Sequence, residues 1–305
     1  MHKSIPPPDI NDVKQKIQKL ENIDVFRETD ENLYSYVKEL MNGYSVHGIV
    51  LNSLCLYRGI KFEEKPNFYK NLIYPPEDKT ILTRAGYEKE QVFYATSSKR
   101  AVFYELKVQA GDKLIVGEWT TNEALLFNSV GYTETNLHVM GSSREFENEK
   151  DERGTNGANQ AIADYLAKSF CQDICVKTNY LYKLTNAIAR VHLSNANDKM
   201  FSGLIYPTIQ FRANEDNFAI RKNTIDKGLF DINAIHFIEI LEVKENRYKY
   251  RTIDQADEIN NNGNIKWKNL DKKWTRFDDS EDIVFVSENG DVLAYNENGD
   301  IIAPD

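Results

Sequence analysis

The spacing of apolar residues changes along the chain. Between Asp9 and Leu40 it is helical: Ile10, Val13, Ile17 and Leu20 recur every three or four residues, and Leu33, Tyr36, Val37 and Leu40 repeat the pattern. Two amphipathic helices are predicted, the first capped by Asp9 or Asn11 and the second stopped by Asn42-Gly43. From about Ile49 the pattern shortens. "GIVLNSLCLYRG" and "QVFYAT" are rich in Val, Leu, Tyr and Phe and end at Gly or Ser/Thr, so they read as strands, with Arg58 near a strand end. "SKRAVFYEL" then fits one short helix, and a strand feeding that helix would carry Tyr94 and Glu105 to one cleft.

Further on, "GSSREFENEKDERGTNG" between Gly141 and Gly157 is almost devoid of apolar residues and predicts a solvated loop. Helical periodicity returns in "ANQAIADYLAKSFCQDI" and "NYLYKLTNAIARVHLSN". The first of these would place Cys171 and Cys175 on one helix face. "GLIYPT" has strand character, and Pro207 marks its end because proline cannot donate to a ladder. "HFIEILEV" and "RYKYRTI" read as a strand pair, followed by the polar "DQADEINNNG". The C-terminus holds a short repeat, "ENGDVLAY" and "ENGDIIAP", whose Asn-Gly pairs predict small hairpins from about Asp282 onward.

Composition narrows the classes of function. The 305 residues are 41% hydrophobic, enough for one large domain with appendages or two modest ones. With 38 basic and 47 acidic residues the net charge is −9, which argues against general nucleic-acid binding through a basic stripe. The N-terminus lacks an apolar leader and no run approaches membrane-spanning length, which predicts a cytoplasmic protein with no membrane partner. Three cysteines without framework spacing fit a reducing compartment. No Gly-rich dinucleotide or nucleotide-phosphate loop occurs, and no metal-ligand spacing is present.

The candidate chemistry is a scattered set: Tyr57-Arg58 in "LYRG", Arg84 in "LTRAG", Tyr94 and Glu105 in "VFYATSSKRAVFYEL", and Thr208 in "SGLIYPT". Two guanidinium groups can clamp phosphate bidentately, and a carboxylate can face a cation developing on a ribose carbon. Isolated, Arg58 and Glu105 would equally suit a structural ion pair, and Tyr94 and Tyr206 would suit core positions.

In order and spacing these blocks, together with "YPPEDKTILTRAGYEKEQ", "YLYKLTNAIARV" and "DNFAI", resemble the RES domain over about residues 50–245. The resemblance implies an α+β fold with an ADP-ribosyltransferase-like mixed core around a NAD cleft. It divides the chain into an N-terminal helical extension (1–48), a RES-like catalytic domain (49–245) and a β-rich appendage of hairpins (246–305). RES domains include toxins that destroy NAD by hydrolysis or phosphorolysis and are blocked by a cognate antitoxin. The carry-over makes Glu105, Arg58 and Tyr94 catalytic, and Arg84, Thr208, Tyr57 and Asn217 substrate-binding, with NAD as substrate rather than cofactor. Thr208 stands at the family serine, Gly59 where an aromatic often follows the first arginine, and Thr83 where glycine usually precedes the second. Transfer of ADP-ribose to a macromolecule and a non-catalytic module binding NAD or a partner are the alternative expectations.

Overall fold

The computed structural model describes residues 8–45, 48–144, 157–194, 201–244, 247–270, 274–279, 282–287, 292–295 and 301–302. The fold is mixed α+β. In chain order the elements are α1 (Ile10–Glu21), α2 (Asp30–Leu40), β1 (Gly48–Leu51), β2 (Leu54–Lys61), β3 (Val92–Thr96), α3 (Lys99–Glu105), β4 (Lys113–Thr121), β5 (Leu125–Ser129), α4 (Glu134–Met140), α5 (Gly157–Phe170), α6 (Tyr182–Ser194), β6 (Gly203–Pro207), β7 (Asp216–Arg221), α7 (Lys222–Ile225), β8 (Asp231–Lys244), β9 (Arg247–Ala256), β10 (Glu258–Ile259), β11 (Ile265–Lys266), β12 (Trp274–Asp279), β13 (Asp282–Ser287), β14 (Val292–Tyr295) and β15 (Ile301–Ile302).

The chain forms two compact units, each built from three stretches. The first comprises Met1–Asn52, Pro75–Tyr94 and Glu123–Lys227, the second Ser53–Tyr74, Ala95–Asn122 and Gly228–Asp305. The stretch 49–245, expected to be one catalytic domain, contributes to both. The N-terminal helices belong to the core of the first unit.

In the first unit, the Asp9 carboxylate accepts from the N–H groups of Asn11 and Asp12 at the start of α1, and Thr29 accepts from Asn32 N–H at the start of α2. These caps satisfy donors that a helix leaves unpaired at its N-terminus. The apolar faces then bury Val13, Leu20, Leu33, Val37 and Leu40 against Ile162, Leu166, Ile188 and Val191 of α5 and α6. At roughly 1.5–3 kcal/mol for each fully buried aliphatic side chain, this packing outweighs any helix propensity. The sheet of this unit pairs β1 antiparallel with β5, β5 parallel with β6, and β6 antiparallel with β7. Helix α5 ends at Phe170, so Cys171 follows it, and Cys175 caps the next 3-10 turn. The two cysteines therefore do not share the helix face that their spacing predicted.

In the second unit an antiparallel sheet runs β2, β4, β8, β9, β12, β13, β14, β15. The predicted pairing of "HFIEILEV" with "RYKYRTI" is present as β8 and β9. C-terminal strands pair as hairpins, while the Asn-Gly turns expected to join them lie outside the described residues. Helix α3 packs on this sheet: Phe103 meets Tyr248 and Tyr250 with ring centroids 5.3 and 5.2 Å apart, and Tyr104 meets Tyr248 at 5.2 Å. Over β2 the approach is closer still. A Cβ on Gly59 would overlap Val102 Cγ1 and stand 3.0 Å from Leu106 Cδ1.

Two expectations follow. Gly59→Ala must push α3 off β2, so urea unfolding will show a loss of about 1–3 kcal/mol, the usual cost of overpacking; an unchanged midpoint would contradict the contact. The second concerns His192, fully buried on α6 with Nδ1 at 2.9 Å from the Ile188 carbonyl. Burial lowers its pKa to about 4. Between the ordinary histidine value and that figure the unfolded chain binds the extra proton, so stability falls as pH drops through this window and is fully retained above it. At pH 5 the loss is about 2 kcal/mol. His192→Gln will flatten that part of the pH dependence, which urea midpoints at pH 7.5 and 5 will show.

Candidate functional site

The predicted residues divide between the two units. Arg84, Tyr94, Thr208 and Asn217 lie in the first, and Tyr57, Arg58 and Glu105 in the second.

Arg84 sits in a tight loop closed by Thr83 N–H donating to the Gly86 carbonyl at 2.9 Å. Three side chains fix this loop. Tyr94 on β3 joins its hydroxyl to Thr83 Oγ1 at 2.7 Å and accepts from Ala85 N–H at 2.9 Å. Burial pushes the Tyr94 phenol up to about 12, so it is a neutral hydrogen-bonding group over the whole physiological range. Asn186 on α6 directs its amide nitrogen at the carbonyls of Thr83, Gly86 and Tyr182. Arg84 itself is buried, donating from Nη1 to the Phe170 carbonyl and from Nη2 to the Gln172 carbonyl at 3.0 Å. Its guanidinium carbon lies 5.7 Å from the ring centroid of Phe170 and 5.8 Å from that of Tyr182.

Those carbonyls sit at the C-terminal end of α5, where a helix leaves acceptors unpaired and its dipole favours a cation. Arg84 is therefore an α5 cap. Each terminal nitrogen of Arg84 thus makes a bond to the backbone at this helix end. Asn186 had no place among the expected site residues, and nothing in "YLYKLTNAIARV" distinguishes it from a solvent-facing asparagine.

Thr208 is also part of the framework. It is fully buried, exchanges backbone contacts with Glu215 and Ala213, and accepts from Glu215 N–H through Oγ1 at 3.2 Å. It thereby closes the turn between β6 and β7, in which Arg212 and Ala213 take left-handed φ values of 51° and 59°. Asn217 is buried on β7 opposite Tyr206 of β6, and Tyr206 packs edge-on against Phe170 with centroids 5.2 Å apart. Beside them Asp216 Oδ1 accepts from both the Tyr132 hydroxyl and Arg144 Nη1, each at 2.8 Å. Burial and the Asp216 carboxylate hold the Tyr132 phenol well above its usual range.

In the second unit, strand alternation puts Tyr57 and Gly59 on the face that receives α3 and sends Arg58 to the other. There Arg58 Nε donates to the Leu72 carbonyl at 3.0 Å. Tyr57 pairs with Thr96 of β3, whose hydroxyl donates to the Tyr57 carbonyl at 3.3 Å. Glu105 is the last residue of α3, partly exposed, in a helix whose final turn carries no basic residue. A carboxylate there adds to the negative end of the helix dipole, a position that costs helix stability and concentrates negative potential.

Among the described residues, no group of three or more His, Cys, Asp or Glu side chains could hold a metal ion. No described helix is long and apolar enough to cross a membrane. No protein-family model matches the chain, and no curated protein shows a significant match to it.

The loop geometry makes a direct expectation. Tyr94→Phe removes the partner of the Ala85 N–H, and Asn186→Ala removes the partner of the Thr83 and Gly86 carbonyls. Each will cost about 1–3 kcal/mol in urea unfolding. Because both hold one loop, the double variant will depart from additivity by about 0.5 kcal/mol or more. Strict additivity would show that the two side chains act separately.

Proposed function

We propose that the protein cleaves the nicotinamide–ribose bond of NAD by hydrolysis or phosphorolysis and acts as a toxin or defence effector. The observation that carries this reading is the carboxylate of Glu105 at the negative end of α3. The bond breaks through an oxocarbenium-like state, and nicotinamide leaves as a neutral molecule without general-acid help. A residue that concentrates negative potential at the ribose carbon is thus the main requirement, by analogy with glycosidase carboxylates.

In this mechanism Glu105 stabilises the cationic ribose and holds its 2′-hydroxyl. Arg58, fixed by its bond to Leu72, supplies positive charge for the pyrophosphate, and Tyr57 offers an aromatic surface. In the first unit, Tyr94, Thr208 and Arg84 hold backbone through their polar groups. Water or phosphate attacks the exposed carbon, and a cognate antitoxin would act by blocking the cleft.

A second reading, a non-catalytic module that binds NAD or a partner, is favoured by that same commitment of Arg84, Tyr94 and Thr208 to the framework. Transfer of ADP-ribose to a macromolecule shares the cation and differs only in the attacking group.

Nicotinamide release from NAD, with and without phosphate, separates these readings. The wild type will release nicotinamide, and Glu105→Gln will reduce turnover at least 100-fold, the scale seen when one electrostatic stabiliser is lost. Circular dichroism and melting temperature will report that the variant is folded. NAD binding without release by the folded wild type would establish the non-catalytic module instead, and full activity of Glu105→Gln would remove the residue from the mechanism.

A further inference from the structure

Arg58 is held by a segment whose anchorage lies elsewhere in the second unit. The acceptor of its Nε–H, the Leu72 carbonyl, sits at the end of a single 3-10 turn, Tyr69–Leu72. The chain leading into that turn is laced to the β10–β11 hairpin. Ile265 N–H donates to the Asn67 carbonyl at 2.8 Å, Tyr69 N–H to the Gly263 carbonyl at 3.0 Å, and Trp267 Nε1 to the Pro66 carbonyl at 3.0 Å. Gly263 takes a left-handed φ of 79°, and the Tyr69 ring lies 3.1 Å from where its Cβ would stand.

One ion pair closes this lacing. Lys65 Nζ lies 2.6 Å from Asp254 Oδ2 and 3.2 Å from Asn269 Oδ1, and it stands 5.5 Å from the centroid of the Trp267 ring. The Asp254 side chain is only 2% exposed. Its Oδ1 accepts from the N–H groups of Gln255 and Leu270 at 2.9 and 3.3 Å, and Lys65 supplies the bond to its other oxygen. Asp254 is placed there by a β-bulge: Phe237 pairs with Asp254 but Ile238 with Thr252, which leaves Ile253 as the extra residue. A bulge re-aims the side chains beside it. A buried pair gains little net stability, because desolvation offsets the attraction, yet loss of either partner strands the other charge. What the pair contributes is therefore a fixed geometry more than binding energy.

We propose that Lys65 and Asp254 are positioning residues for Arg58. They lock the 65–72 segment on the hairpin, and the locked segment presents the Leu72 carbonyl that orients the guanidinium. The inference rests on the NAD reading for what Arg58 then does, and on the bonds of the second unit alone for how Arg58 is held. Pyrophosphate carries its charge before and during bond cleavage, so a loosened Arg58 weakens binding of substrate and transition state alike.

Two readouts on the full-length chain keep these parts separate. The first needs no NAD: solvent exchange of the Arg58 Nε–H, followed by NMR and assigned by loss of the signal in Arg58→Lys. Exchange will speed up by about tenfold or more in Lys65→Met and in Asp254→Asn, as local opening exposes the bond. Lys266→Met, which breaks the exposed pair with Glu258 on the same hairpin, will leave it unchanged. Circular dichroism and melting temperature will report that each variant is folded; Lys65→Met keeps the apolar stem and Asp254→Asn the side-chain volume. The second readout is nicotinamide release, in which KM for NAD will rise by about tenfold or more while kcat stays within about twofold. A mere loss of folded protein would lower kcat at unchanged KM. Unchanged Arg58 exchange in a folded variant, or faster exchange with unchanged KM, would overturn the proposal. Absence of nicotinamide release by the wild type would instead remove the NAD reading, and the exchange rates would still decide whether the pair holds Arg58.

Discussion

A buried guanidinium at the end of a helix joins distant parts of the first unit. Arg84 reaches the C-terminal carbonyls of α5 from a loop that is distant in sequence, and its charge is offset by the helix dipole and by two aromatic rings. The bond has two consequences. It satisfies carbonyls at the end of α5, and it ties the 83–86 loop to the helical core. Tyr94 and Asn186 then hold the same loop from β3 and from α6. A buried cation with this many contacts is expensive to disturb, since removal of its partners would leave charge without solvent.

Polar residues that look alike in sequence thus do different work. Arg84, Tyr94 and Thr208 spend their hydrogen bonds on backbone groups and give the first unit its loops. Glu105 ends α3, whose last turn carries no basic residue. Gly59 acts from the packing side. Its missing side chain admits Val102, and so seats the helix that ends in Glu105 against β2.

Periodicity made much of the fold legible. The stripe Val13, Leu20, Leu33, Val37 marked the N-terminal helices because burial on one face dictates the spacing, and β8 with β9 was readable from its dense β-branched and aromatic residues. The capped start of α1 at Asp9 was readable for the same local reason. The interleaving of the units was not, because it depends on which distant stretches pack together. Cys171 and Cys175 misled because α5 ends at Phe170, before either of them. The role of Asn186 and the pairing of Lys65 with Asp254 left no trace in the sequence, since no local pattern records which distant groups these side chains meet. Arg84 was noticed for a guanidinium's affinity for oxygens, and the oxygens it meets in the structure are backbone carbonyls.

The most direct test is the thermal melt of Arg84→Lys in the absence of any ligand. Lysine keeps the charge but cannot serve two carbonyls in the plane of a guanidinium. As an α5 cap, Arg84 predicts a melting temperature lower by several degrees, as expected when about 2 kcal/mol is lost from a unit of this size. An unchanged melting temperature, accompanied by weaker binding of NAD, would contradict the framework role and return Arg84 to the phosphate.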